Sequence, residues 1–163
     1  MKKLGLDLRL FVRRLTALSA LFLLLWPCAA QAEVLEDLET AFRAHREGKY
    51  DQAIELYSKI IKDRDLKPLD RAVTYLLRGE AHHDKGDYDR AIQDFNLALK
   101  IKSNYAQAYF LLGLAYEKKG QLIEAYRNVR KAKALRPDHE RYDYRLKSLE
   151  AEMKRKGLSL PKD

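Results

Sequence analysis

One period dominates this sequence: residues recur at a spacing of thirty-four, so the chain meets the same packing problem several times over. Tyr75, Gly79, Ala81, Gly86, Ala91 and Ala98 return as Tyr109, Gly113, Ala115, Gly120, Ala125 and Ala132. Ala72 with Ala106, Leu77 with Leu111 and Lys85 with Lys119 bring the identities within one repeat length to nine. An earlier copy (Gly48, Tyr50, Asp51, Ala53, Ile54, Tyr57) aligns with Gly86, Tyr88, Asp89, Ala91, Ile92 and Phe95 at an offset of thirty-eight. Four extra residues therefore separate the first two copies. They are placed around Asp65-Leu66-Lys67-Pro68, because Pro68 suits a helix's first turn and not its interior.

Within each copy the apolar residues fall at helical spacing rather than alternating as in a strand. The second copy shows this with Tyr88, Ala91, Ile92, Phe95, Ala98 and Leu99, and the first with Tyr50, Ala53, Ile54, Tyr57, Ile60 and Ile61. The third keeps the same face with Leu122, Ala125, Tyr126, Val129 and Ala132. Gly48-Lys49, Gly86-Asp87 and Gly120-Gln121 break the pattern just before these helices. Each copy is thus expected to be a helix, a tight turn and an antiparallel second helix. After Pro137, Tyr142, Leu146, Leu149 and Met153 form a stripe backed by charges, and Asp138 is the expected N-cap. That helix, over 138–156, is expected to cover the last hairpin, with partner binding as its alternative role; Gly157 ends it and 157–163 is expected to be a loose tail.

The beginning of the chain has a different composition. Lys2, Lys3, Arg9, Arg13 and Arg14 precede an apolar run from Leu15 to Trp26, Pro27 breaks it, and Ala30-Gln31-Ala32 supplies small residues. This is the pattern of a signal peptide over 1–32, with cleavage expected after Ala32 and a periplasmic or secreted mature chain beginning at Glu33. The run is shorter than the roughly 20 residues of a membrane-spanning helix, so a retained signal anchor is the alternative. Trp26 and Pro27 before Cys28 depart from a lipoprotein cleavage site, and Thr16 after Arg13-Arg14 departs from a twin-arginine signal.

Beyond Ala32 the chain contains no cysteine, which leaves neither a disulfide nor a thiolate metal site to hold it together. The formal charge of +8 belongs to the whole chain; 33–70 carry seven basic and ten acidic side chains, and 71–163 twenty and thirteen. Solvated helix faces are the expected source of this excess, a dedicated patch for acidic partners or anionic lipid is the alternative, and nucleic-acid binding is not expected.

These residues resemble the tetratricopeptide repeat, in which an aromatic residue, Leu-Gly, a tyrosine, an alanine, an aromatic, an alanine and a proline follow in order. In the third copy the matching residues are Tyr109, Leu112, Gly113, Tyr116, Ala125, Ala132 and Pro137, with Val129 at the second aromatic position. In the second they are Tyr75, Gly79, Ala91, Phe95 and Ala98, while Arg78, His82 and Ser103 stand where the pattern has leucine, tyrosine and proline. The first copy departs further, with Asp37 at the first aromatic position and Ala41 in place of glycine.

The resemblance implies an all-α fold, an α-α superhelix of three helical hairpins plus a C-terminal capping helix, with repeats at about 34–67, 72–105 and 106–139 in a domain over 33–156. It also implies a concave groove lined by the first helices: Leu38, Phe42 and His45, then Leu76, Glu80 and His83, then Phe110, Leu114 and Glu117. Some members of the family grip a peptide's C-terminal carboxylate with lysine, asparagine and arginine. The corresponding positions here hold Leu38, Phe42, Leu77, Gln107 and Leu111, so a hydrophobic or amphipathic segment is the expected occupant. Support of the core, or contact with another copy of this chain, is the competing role for these side chains.

No phosphate loop, nucleophile elbow or heme attachment sequence is present. The four histidines lack metal-site spacing; His83 with Asp84 and Asp87 reads as a solvated turn, and His82 as a packed, hydrogen-bonded residue. The expectation is a non-enzymatic scaffold or adaptor of the bacterial cell envelope that uses no metal or cofactor and binds a protein or peptide segment, or else an auxiliary or assembly domain tethered to the membrane by an uncleaved anchor.

Overall fold

The computed structural model describes residues 33–161. The expected leader over 1–32, with Cys28 and the cleavage point after Ala32, lies outside the described residues. Contacts divide the chain between Glu39 and Thr40. Leu38 belongs to the first unit, and the packing below is that of the second.

Among the described residues there are seven helices and no strand. Residues 33–46 are helical (α1); then come α2 (Tyr50–Lys62), α3 (Pro68–Lys85), α4 (Tyr88–Ile101), α5 (Ala106–Lys118), α6 (Leu122–Leu135) and α7 (Glu140–Arg155). From α2 onward each helix packs on its neighbours in sequence, and α3 also meets α5, as an α-α superhelix requires.

The turns inside the hairpins share one hydrogen-bond pattern. At the end of α3 the Gly86 N–H donates to the His83 carbonyl at 2.9 Å and the Asp87 N–H to the His82 carbonyl at 2.8 Å. Gly120 and Gln121 bond to Glu117 and Tyr116 in the same way, and Gly48 and Lys49 to His45 and Ala44. This is the Schellman motif, which closes a helix through a left-handed residue; Gly86 supplies it at φ 91° and Gly120 at φ 75°. The four extra residues are wound into α3 as an additional turn. That helix starts at Pro68, four residues before Ala72, whereas α5 starts at the equivalent Ala106. Arg71 Nη2 donates to the Asp63 carbonyl at 2.7 Å and ties the added turn to the end of α2.

Close approach inside the hairpins falls where the small residues recur. A Cβ on Gly79 would lie 2.6 Å from Phe95 Cε1, and one on Gly113 would lie 2.7 Å from Val129 Cγ2. Both glycines thus face the residue sixteen positions later, on the second helix of their own hairpin. Phe95 and Val129 are completely buried. Between repeats the same device recurs in charge: Lys85 Nζ pairs with Asp51, and Lys119 Nζ with Asp89.

Arg78 departs from the leucine of the repeat pattern, and the fold shows how it is accommodated. Its guanidinium donates twice to the buried Asp94, at 2.8 and 2.7 Å, and once to Ser58 Oγ at 2.9 Å. Those bonds hold Arg78 above even its ordinary basicity and link α2, α3 and α4. His82 is packed as expected, but its Nδ1 makes no hydrogen bond and stands 3.9 Å from Asp87; burial lowers its basicity.

The final helix starts later than its sequence suggests. Its N-cap is His139 rather than Asp138, with no side-chain cap. The chain is still turning at Asp138, and the His139 ring stacks on Tyr142 with centroids 4.2 Å apart. Tyr142, Leu146, Leu149 and Met153 are all buried against α5 and α6, so the stripe faces the core. Gly157 closes α7 with the same two-bond pattern, from Gly157 to Lys154 and from Leu158 to Met153.

Candidate functional site

The positions expected to line a groove fall into three tiers along the first helices, and the structure treats the tiers differently. In the first tier Leu76 is 5 % exposed and Phe110 completely buried. Phe110 lies 4.9 Å from the Tyr142 ring, with the Arg141 guanidinium 5.0 Å from its centroid. Helix α7 therefore covers the position where a following repeat would stack, and Leu76 and Phe110 are core residues with nothing to offer a ligand. Leu38, their equivalent in the first repeat, stands in the separate unit.

The second tier is open. Phe42 is 49 % exposed, and Glu80 and Leu114 are half-buried. The third tier, His45, His83 and Glu117, is also half-buried, and its side chains are held by polar partners. His45 Nε2 donates to Asp84 Oδ2 at 2.9 Å, and His83 Nδ1 to Asp84 Oδ1 at 3.1 Å. Each imidazole also meets a tyrosine edge-on, His45 with Tyr50 and His83 with Tyr88, so the two copies build the same contact. Glu117 accepts from Arg145 Nη1 of α7 at 3.1 Å.

His45 of α1 thus meets α3 at Asp84, one turn from Glu80. Burial raises the Glu80 carboxyl above the usual carboxylate range; His45, Gln107 and His83 pull it back, and Asp84 pushes it further up. The Asp84 carboxyl is held lower by its two histidines, against the opposing effect of burial. Tyr57 is completely buried and its hydroxyl has no hydrogen-bond partner. Burial, with Glu80 nearby, pushes this phenol up to about 12. Tyr105, at the start of α5, is raised for the same two reasons.

Sequence reasoning did not single out Tyr57 and Tyr105 as site residues. Tyr57 occupies the position of Phe95 and Val129, where only an apolar body is needed. The hydroxyl that it alone carries was the available signal. Among the described residues no group of three histidine, cysteine, aspartate or glutamate side chains is placed to hold a metal ion. Among those residues, too, no helix is long and apolar enough to cross a membrane.

Comparison with known proteins agrees with this geometry. Residues 79–120 match the family model described as TPR repeat, and residues 106–139 the one described as tetratricopeptide repeat. The chain is 37% identical over 87 residues to TPR repeat-containing protein MJ1428 of Methanocaldococcus jannaschii, a match covering 53% of this chain and 14% of that one. It is 32% identical over 81 residues to the Photosystem I assembly protein Ycf3 of Parasynechococcus marenigrum, covering 50% of this chain and 46% of that protein. The chain thus spans less than half the length of either relative. Among solved structures, the first TPR of Spaghetti (RPAP3), bound to the HSP90 peptide SRMEEVD, superposes with a TM-score of 0.66 at 25% identity, covering 74% of this chain and 92% of that one. Family models over residues 79–139 and a shared stack across most of the chain agree on the fold: the helices described here form an α-α superhelix similar to tetratricopeptide-repeat domains.

Proposed function

We propose that this protein is an exported scaffold or assembly factor of the bacterial cell envelope, which holds a segment of a partner protein against the face formed by α1, α3 and α5. The observation that carries the reading is the open second tier. Phe42 is 49 % exposed and Leu114, at the equivalent position of the third repeat, is partly exposed, on the helices that line the concave side of such a stack. The likeness to a repeat domain that holds a short peptide, and to a protein named for assembly, supports the same class of role. Export rests on the basic start, the apolar run and Ala30-Gln31-Ala32.

Two measurements test this. Mass spectrometry of the mature protein should find Glu33 at the N-terminus; retention of the first residues would replace the exported form with a tethered one. Crosslinking in native cells, followed by partner identification, should lose a partner when Phe42 and Leu114 are both changed to serine. Retention of every partner by the folded double variant removes the groove.

A further inference from the structure

We propose that the outer face of α7, with the segment that follows Gly157, docks on an anionic lipid surface. The site lies at the C-terminal end of the stack and is independent of the groove above.

The charge excess of the C-terminal half is confined to this end. Residues 71–117 carry six basic and six acidic side chains, whereas 118–163 carry fourteen and seven. Burial sorts the charges of α7 further. Tyr142, Leu146, Leu149 and Met153 face the core, which leaves Tyr144, Lys147, Ser148, Ala151, Lys154 and Arg155 on the opposite, exposed side. From Tyr144 to Leu160 no exposed residue is acidic. Glu150 and Glu152, the two acids in this stretch, are half-buried and engaged: Glu150 accepts from the Tyr126 hydroxyl at 3.2 Å, and Glu152 pairs with Lys156 at 2.9 Å. Among the described residues no ion pair uses Lys147, Lys154 or Arg155.

Apolar groups accompany these cations. Tyr144 is 72 % exposed, and Leu158 and Leu160 are 39 % and 48 % exposed. The two leucines line one cleft with Lys147, Ala151 and Lys154, so the segment after Gly157 sets them beside the lysines. Cations that meet headgroups, with tyrosine and leucine entering the interfacial layer next to them, are the chemistry of a protein resting on an anionic bilayer.

Two other occupants fit less well. A second copy would set the same unpaired cations against each other. A folded partner needs about 800 Å² from each side, whereas a helix of 16 residues, about 24 Å long and about 10 Å across, offers about 240 Å². A bilayer sets no such requirement, because each basic residue adds its attraction separately.

The test places one indole on this face of the full chain. Trp26 is the only tryptophan, so Tyr144→Trp combined with Trp26→Phe reports on α7 alone. The protein is titrated with vesicles of phosphatidylcholine, or of equal parts phosphatidylcholine and phosphatidylglycerol. Emission should move to the blue with the anionic vesicles and not with the neutral ones, and salt at about 1 M should abolish the shift. In this background Lys147→Gln with Lys154→Gln should weaken the affinity about 25-fold, about fivefold for each cation, with circular dichroism unchanged. Lys100→Gln with Lys118→Gln removes the same charge from exposed sites elsewhere and should leave the affinity within about twofold. An equal shift with neutral vesicles, no shift with either, or an equal loss in the control pair overturns the inference. So does a shift given by a poly-glutamate peptide where vesicles give none, which marks the face as a protein site.

Discussion

Gly113→Ala adds one methyl group at the tightest point of the third hairpin, and two opposing effects can be worked out for it. Replacing glycine by alanine within a helix favours folding by about 0.8–1 kcal/mol where space is free. Here the new carbon would stand 2.7 Å from Val129 Cγ2, 3.1 Å from the Ala125 carbonyl oxygen and 3.3 Å from the Val129 nitrogen. Ordinary carbon contacts need roughly 3.5–4.0 Å. Val129 is completely buried and β-branched, so it cannot swing away, and two of the three neighbours are backbone atoms. Helices α5 and α6 must separate, at about 1–3 kcal/mol of overpacking. The balance is a destabilisation of up to about 2 kcal/mol, and Gly113→Leu should cost at least as much as Gly113→Ala.

Thermal and urea unfolding followed by circular dichroism check this, and a double-mutant cycle with Val129→Ala isolates the cause. Shortening Val129 should recover part of the loss, with a coupling of about 0.5–3 kcal/mol. Gly86→Ala is the control: nothing lies within 4 Å of its added carbon, but its φ of +91° costs an L residue about 1–2 kcal/mol by itself. That loss should not respond to Val129. A Gly113→Ala protein that melts higher than wild type would refute the close-approach reading.

Arg78→Leu restores the residue of the repeat pattern but leaves Asp94, 3 % exposed, without its guanidinium; urea unfolding should show a loss of about 3–5 kcal/mol, largely recovered in Arg78→Leu with Asp94→Asn. Phe110→Ala should cost about 3–5 kcal/mol because α7 closes over the ring, whereas Phe42→Ser should stay within about 0.5 kcal/mol of wild type and show its effect in partner binding. Glu80 ionises at higher pH in the fold than in the open chain, so its cost to stability is absent in acid and sets in as pH rises through the usual carboxylate range. Glu80→Gln should therefore be at least as stable as wild type at neutral pH and converge with it in acid; thermal melts across pH decide this, and a deficit that widens above that range contradicts it.

The fold was legible because its information is local and repeated. Gly79 and Gly113 mark the helix contacts, the Gly86 and Gly120 turns mark the hairpins, and each signal reads the same in two or three copies. The extra four residues were visible as an offset, but their conformation was not: Pro68 permits a helix start, and only packing decided that the whole insertion would wind into α3. The site was less legible. Position along a first helix gives the direction of a side chain within one repeat, not what the next element lays over it. Leu76 and Phe110 therefore read like Glu80 and Leu114 in sequence, although their neighbours bury them. Tyr57 was hidden for the opposite reason, since its ring satisfies the packing pattern and its hydroxyl lies outside any repeat rule.

The polar departures from the repeat gather where the first two repeats meet, and hydrogen bonding divides them into two kinds. Arg78, Asp94 and Ser58 form a closed set: the guanidinium spends donors on both oxygens of the buried acid and on the hydroxyl. A closed buried network fixes the relative placement of three helices and asks nothing of a ligand. Glu80, Tyr57 and His83 form an open set, with a hydroxyl and a ring nitrogen buried but unpartnered and a carboxylate acted on by His45, Gln107 and His83 but by no lysine or arginine among the described residues. Sequences that break local rules do so chiefly at functional or strained sites, and an open set retains capacity for a further group. Arg78→Leu should accordingly be felt in stability and Glu80→Gln in binding. Exchanged readouts would reverse the roles of the two clusters.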